Sequence, residues 1–317
     1  HQSKLLLSRQ DVETVLSNPQ IDSKTKEKLL LAQDAKDFSV QKLGLAPSEN
    51  YSSYVELNRP YVTWVVRVAQ AYKLKSHTWW FPIVGDVPYK GFFNKEDAKS
   101  EAKRFNSHEY DTYVRGVSAY STLGWFDDPI LSSMINYKDH DLVELIIHEN
   151  VHATIYIKSN ADFNERLATF LGKEGVKLYY KQKFGKQSKP FQSLLNEGYD
   201  RDLFSKFISD EIKEIERWYN DYKDKITPSL KRQRLQAITH RFVAQVKPHL
   251  KSQLYNHFEN IELNNAKLLS MKTYISDLED FKKLLAKNDG SFHRTLEDCK
   301  KLKSSTTPEE DLKKLLY

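Results

Sequence analysis

Leu142-Val143-Glu144-Leu145-Ile146-Ile147-His148-Glu149-Asn150-Val151-His152 is the stretch on which the reading of this chain turns. Apolar residues at 142, 145, 146, 151 and 155 recur at helical spacing, so a helix is expected over 141–157. His148 and His152 are four residues apart, hence one turn apart on one face. From there both imidazoles can reach a single Zn²⁺. Glu149 follows the first histidine on a flank from which a carboxylate can take a proton from water that the metal activates. Leu145, Ile146, Ile147 and Ile155 would bury the helix and hold the site dry and rigid. The plainer alternative is a helix with two surface histidines.

A catalytic zinc keeps three protein ligands and one open position, so a third ligand is needed. A turn near Lys158-Ser159-Asn160 and a returning helix over 162–184 would carry Glu165 back toward the histidine pair. Leu167, Phe170, Leu171 and Leu178 give that helix its apolar spacing. The small Ala168 and Thr169 would let the two helices approach closely. Asp162 is the rival ligand, or else the N-cap of the second helix. Glu174 reads as a solvated charge. The Asn164-Glu165 pair resembles the gluzincin metallopeptidases, in which an Asn-Glu pair on the helix after H-E-x-x-H supplies the carboxylate ligand.

Outward from this centre, 10 Gly and 10 Pro in 317 residues leave room for long helices. The first 60 residues read as helical, with Asp22 or Ser23 capping a segment that runs to Leu43 and stops at Gly44. Stretches rich in β-branched and aromatic residues at 61–68, 78–84 and 110–120 are expected strands. Asn94 caps a helix over 95–105. Further helices are expected over 204–225, from Thr227-Pro228 to a bend or end at Pro248, over 250–269 and 278–285, and from Thr307-Pro308 onward. No Gly/Ser linker separates the sheet region from the rest. The expected fold is therefore α+β and predominantly helical, a single unit over 1–317. Its parts are N-terminal helices (1–60), a small sheet (61–130), the metal-site helices (141–185) and a helical C-terminal part (190–317).

Composition narrows the function classes. Lys+Arg 49 against Asp+Glu 43 gives +6, spread along the chain, which does not argue for nucleic acid. No run of 18 apolar residues suggests a membrane-spanning helix. The single cysteine, Cys299, rules out an internal disulfide and a cysteine-based zinc site. The chain opens on His1, so a signal peptide or a lipid-attachment cysteine would lie upstream.

With these residues in view, the chain resembles the bacterial "predicted aminopeptidase" family, zinc peptidases of the Gram-negative cell envelope. The similarity extends from about Leu29 to about Leu285. It is carried by Arg59-Pro60-Tyr61-Val62-Thr63-Trp64, Trp79-Trp80-Phe81-Pro82-Ile83-Val84-Gly85, Tyr89-Lys90-Gly91-Phe92-Phe93 and Ala119-Tyr120-Ser121-Thr122-Leu123-Gly124-Trp125-Phe126-Asp127-Asp128-Pro129. The zinc motif, Phe163-Asn164-Glu165 and Leu263-Asn264-Asn265-Ala266 complete it. The resemblance implies a zincin-like domain with Zn²⁺ as cofactor, His148, His152 and Glu165 as ligands and Glu149 as base. It also implies a peptide substrate and a periplasmic location, often with an N-terminal lipid or membrane anchor. The chain departs from the family pattern at Asp86, where Cys is common, and at Asn150-Val151, where Leu-Ala is usual.

Other roles are assigned by residue type. An oxyanion donor is expected from Tyr274, with His240, His257 and Tyr120 as rivals. Gly124 and Trp125 would belong to a strand edge that holds substrate as an added strand, or to a buried corner. Asn264 and Asn265 would bond a substrate backbone or cap a helix. A free substrate ammonium would need a carboxylate such as Asp127, Asp128, Glu259 or Glu262. Against the enzyme stands a second hypothesis, a non-catalytic module that keeps the zinc-peptidase fold to bind peptides or proteins. The presence of both histidines and both glutamates favours the enzyme. The sequence leaves the oligomeric state open.

Overall fold

A computed structural model describes residues 8–82, 85–118, 127–273 and 277–317. A two-residue strand, β1 (Gln10–Asp11), leads into α1 (Val12–Leu16), where the Asp11 carboxylate accepts the Glu13 N–H at 2.8 Å. Asp22 accepts the Thr25 N–H at 2.9 Å and caps α2 (Ser23–Gln41). The chain turns away at Gly44, whose φ of +73° suits a residue without a β-carbon. β2 (Ser53–Val55), β3 (Thr63–Gln70), β4 (Trp79–Phe81), β5 (Gly85–Val87) and β6 (Lys90–Phe92) follow. Asn94 accepts the Asp97 N–H at 2.8 Å to open α3 (Lys95–Lys103), ahead of β7 (Tyr110–Val117) and β8 (Ile130–Leu131). Then come α4 (Asp139–Thr154), α5 (Ala161–Phe184) and α6 (Lys189–Tyr222). The Thr227 hydroxyl accepts the Leu230 N–H at 3.2 Å and Pro228 takes the first helical position of α7 (Pro228–Gln245). α8 (Asn265–Thr273), α9 (Glu279–Lys287), α10 (Phe292–Lys300) and α11 (Pro308–Leu315) close the chain. The fold is mixed α+β, mostly helical, with small sheets.

The chain packs as two compact units. The first comprises His1–Pro60, Ser118–Phe191 and Ser276–Tyr317, the second Tyr61–Val117 and Gln192–Ile275. In the first, β2 pairs antiparallel with β1 and parallel with β8, in register Tyr54↔Ile130. α4 packs against α2 on one side and α5 on the other. Leu142, Val143, Ile146, Ile147 and Val151 are fully buried between them, as are Leu29 and Ala32 of α2 and Leu167 and Leu171 of α5. Phe281 of α9 stacks on Phe170 and meets Phe163 edge-on, with ring centroids 5.6 Å and 5.4 Å away. No helix among the described residues is long and apolar enough to cross a membrane.

In the second unit the sheet order is β6-β3-β7, all antiparallel. Alternation along β3 sends Val66 and Val68 toward Ala98 of α3 and Val65 and Arg67 to the opposite face, where α8 packs. A second core joins α6 and α7. Phe204, Ile208, Ile212, Ile215 and Tyr219 line one stripe of α6 against Leu235, Ile238 and Phe242.

Four local expectations are corrected. The first 60 residues are not all helix, since β1 occupies 10–11 and β2 with irregular backbone occupies 44–60. The helix expected over 204–225 begins at Lys189 instead. Pro190 sits in its first turn, where no N–H is needed, and packing offsets the interior Gly198. The region 250–269 is not one helix. The fully buried Asp200 carboxylate accepts the backbone N–H groups of Lys251 and Ser252 at 2.8 and 2.7 Å and holds that backbone in turns. α10 was not expected; the Ser291 hydroxyl, accepting the Arg294 N–H, is its start signal.

Asn265 ties the second unit together. It is fully buried; its amide donates to the carbonyls of Gln70 (2.8 Å) and Ala71 (3.0 Å), and its oxygen accepts the Tyr219 hydroxyl at 2.8 Å. Asn265→Ala leaves these partners buried and unsatisfied, so it is expected to destabilise the protein by about 3 kcal/mol, as read from urea unfolding.

Candidate metal centre

α4 is built from an acidic first turn, Asp139 and Asp141, followed by the buried apolar stripe. It ends where the Thr154 hydroxyl bonds back to the Asn150 carbonyl at 2.6 Å and Ile155 turns extended. Asn150, the departure from the family pattern, is buried toward α2 and donates to the Ser39 hydroxyl, so it fastens α4 to α2.

The return to α5 is closed by Asn164. Its side-chain oxygen accepts the Ile157 N–H at 2.9 Å and its amide donates to the Ile157 carbonyl at 2.8 Å. Both partners belong to one residue, so the asparagine acts as a two-point clamp across the connection. Ser159 inside that connection takes φ +64°. Glu165 follows directly on the clamp and its carboxylate reaches the histidines.

The three side chains converge. Nε2 of His148 and Nε2 of His152 lie 3.1 Å apart, and each is 3.4 Å from one Glu165 oxygen. A tetrahedral zinc with ligands at about 2.0–2.1 Å spaces its donors about 3.3–3.4 Å apart. Each histidine faces a different oxygen of the Glu165 carboxylate, and the two imidazole nitrogens and that carboxylate together have the spacing and the chemistry of three zinc ligands. His148, His152 and Glu165 are a group among the described residues able to hold a metal ion. The histidines are half-buried and the Glu165 side chain is exposed, so the cluster opens outward.

Glu149 stands on the same helix. Burial raises its carboxyl above the usual range, opposed by the two histidines and reinforced by Asp128 and Glu165. Hydrogen bonds from His148 and His152 hold Glu165 far below that range. The two carboxyls are therefore driven in opposite directions, one toward holding a proton and one toward remaining an anion.

Helix proximity depends on small side chains. A β-carbon at Gly172 would lie 3.3 Å from the Glu144 carbonyl oxygen and 3.4 Å from Cβ of His148. One at Gly175 would meet Ile147 at 2.8 Å. Glu165, Ala168, Gly172 and Gly175 share the face of α5 turned toward α4.

The family model described as "Putative aminopeptidase" matches residues 1–315. The chain belongs to that family. No curated protein and no solved structure matches it.

Within this family member, the other expected site residues fall as follows. Asp162 is neither N-cap nor part of the cluster. Asn160 precedes the helix, while Asp162 lies in its first turn and pairs with Arg166 at 3.2 Å. Glu174 pairs with Lys177 at 2.7 Å. Asn264 and Asn265 lie in the second unit, where Asn264 donates to the Thr112 carbonyl at 3.0 Å and accepts the Lys267 N–H at 2.9 Å as a helix cap. Glu259 pairs with Lys247 there. Tyr274, Gly124, Trp125 and Tyr120 lie outside the described residues.

Two residues of the site carried little signal in the sequence. Asp128 is buried, and its backbone is fixed by Asn50, which accepts its N–H at 2.8 Å, and by the Tyr51 N–H, which its carbonyl accepts at 2.6 Å. Tyr51 is buried at φ +61°. Burial, then the charges of Glu149 and Asp128, push its phenol well above the usual range. Only the fold brings 50–51 and 128 beside Glu149.

Gly172→Val is expected to cost about 1–3 kcal/mol. Gly198→Ala, whose added carbon meets nothing within 4 Å, is expected to raise stability by about 0.5–1 kcal/mol. Parallel urea titrations read both signs. Asn164→Ala should weaken metal binding by about tenfold or more, measured by competition with a chromogenic chelator, because Glu165 loses its fixed approach.

Proposed function

We propose that this protein is a zinc-dependent peptidase with a zincin-like centre of the gluzincin type. His148, His152 and Glu165 are its metal ligands and Glu149 its general base. The observation that carries this reading is the convergence of two imidazole nitrogens 3.1 Å apart on the Glu165 carboxylate, 3.4 Å from each, with a base of raised pKa on the same helix.

Zinc, when bound, supplies a Lewis acid that acidifies water and polarises a carbonyl. The residues do the rest. Glu149 takes a proton from the attacking water; its raised pKa brings it nearer the operating pH, where a base is most effective. The same carboxyl then delivers that proton to the departing amine. Glu165, kept anionic, stays a ligand rather than a competing base. Tyr274 is proposed as the donor to the developing oxyanion. Gly124 and Trp125 are proposed to line the peptide's path. Family membership supports a peptide substrate and, within that class, cleavage next to a free amino terminus. For that end Asp128 supplies a buried carboxylate beside Glu149. A periplasmic location is proposed on the strength of the envelope peptidases that the sequence resembles, and fractionation of cells producing the native gene tests it.

Metal analysis and a peptide screen test the central claim. The parent protein should carry one equivalent of zinc and cleave short peptides or amino-acid amides. Glu149→Gln should keep the zinc and lose about 10²–10⁴-fold in kcat. Glu165→Ala should lose the zinc. Zinc retained by Glu165→Ala would remove that ligand, and unchanged cleavage by Glu149→Gln would remove the base. A zinc-loaded parent that cleaves nothing in the screen would favour the binding-module reading.

A further inference from the structure

The start of α5, the helix that delivers Glu165, is held by more than its own cap. The Asn160 side chain ahead of it bonds back to the Lys158 carbonyl at 3.0 Å and does not cap the helix. Arg166, the residue after Glu165, takes hold from the other side with all three guanidinium nitrogens. Nε donates to the Asp162 carboxylate one turn back at 3.2 Å, Nη1 donates to the Asp277 carbonyl at 3.1 Å, and Nη2 pairs with Glu309. The guanidinium carbon lies 5.7 Å from the centre of the Phe163 ring and 6.0 Å from that of Phe281. The Arg166 side chain is only 16% exposed, although the carboxylates of Asp162 and Glu309 are open to solvent.

These partners come from three places in the chain, all within the first unit. Asp162 lies in the first turn of α5, Asp277 two residues before α9, and Glu309 in the first turn of α11. α9 and α11 pack on each other, and Lys287 donates to the Leu315 carbonyl at 2.7 Å between them. The C-terminal segment, 277–317, is thus gripped on the ligand-bearing helix by one guanidinium, beside the ring of Phe281 that stacks on Phe170.

A single exposed ion pair adds little stability. A planar fork shared among three fixed acceptors acts on geometry instead, because no one partner can shift without losing its bond. Glu165 and Arg166 are consecutive, so their side chains leave α5 about 100° apart. One meets the histidines on α4 and the other meets α9 and α11. A turn of the helix start that freed Arg166 would swing the Glu165 carboxylate away from the two imidazoles, which it meets at 3.4 Å. A metal site tolerates a misplacement of about 0.5 Å.

We propose that Arg166 is a positioning residue for Glu165, and that through it metal affinity is coupled to the docking of the C-terminal segment. The proposal rests on the reading of His148, His152 and Glu165 as metal ligands. Coupling of this kind is reciprocal: if docking strengthens zinc binding, zinc strengthens docking. A plain structural brace would stabilise the fold and leave the zinc affinity of the folded protein unchanged.

The test takes two readouts on the full chain. Competition with a chromogenic chelator gives the zinc affinity at a temperature where every variant is folded. Hydrogen exchange, read by mass spectrometry with and without zinc, follows α9 and α11. Arg166→Met should weaken zinc binding by about tenfold or more. Arg166→Lys, which keeps the charge without the fork, should recover only part of that loss. Glu309→Gln, which removes one of three partners, should weaken binding in the same direction and by less. In the parent, zinc should slow exchange in α9 and α11, which carry none of the three ligand residues, and Arg166→Met should abolish the effect. Equal zinc affinity in the parent, Arg166→Met and Glu309→Gln overturns the proposal, as does exchange in both helices that is indifferent to zinc. A parent that binds no zinc overturns the ligand reading and this proposal together, so the parent alone tells the two failures apart. Should Arg166→Met fail to fold, Glu309→Gln and Arg166→Lys carry the same comparison.

Discussion

The distance between α4 and α5 governs the candidate metal centre. Two imidazoles on one helix are brought together by the helix repeat alone, but the third donor must come from another segment. It arrives at 3.4 Å only because the facing helix presents Ala168, Gly172 and Gly175 where larger side chains would prop the pair apart. Asn164 adds the second constraint, since it fixes where the returning helix begins and so which residue faces the histidines. Spacing of the helices and phase of the return are separate requirements, met by different residues.

Buried polar side chains play the corresponding part in the second unit. Asn265 closes on the end of β3, Asp200 captures the backbone after α7, and Glu211 receives both Nε and Nη2 of Arg241. Each has partners for its polar atoms, which is the condition under which burying them specifies a structure rather than weakening it. Arg67, whose buried Nε has no hydrogen-bond partner among the described residues, is the counter-example on the same sheet.

Much of the helical architecture was legible because it is local. Asp22, Asn94 and Thr227-Pro228 are capping signals decided within four residues, and each caps the helix expected of it. The pairing of His148 with His152 is likewise a matter of helical repeat. Glu165 was legible as a neighbour of the two histidines from turn and return. The roles of Asn164 and Gly172 were not, since their partners lie seven residues back and on another helix. Tyr51 and Asp128 are 77 positions apart, and nothing local announces that they share one buried corner. The helix expected over 250–269 failed for the same reason, because the acid that rearranges its backbone belongs to α6.

The first unit is assembled from three stretches of chain, and the last of them begins at 276. Phe281, against which Phe163 and Phe170 of α5 pack, therefore leaves the ribosome only after the entire second unit has been made. Until then these rings lack the ring they pack on, and the helices that carry His148, His152 and Glu165 lack one wall of their core. Completion of the core behind the candidate metal centre is thereby a late event in the life of the chain. A nascent or truncated product would expose that aromatic surface.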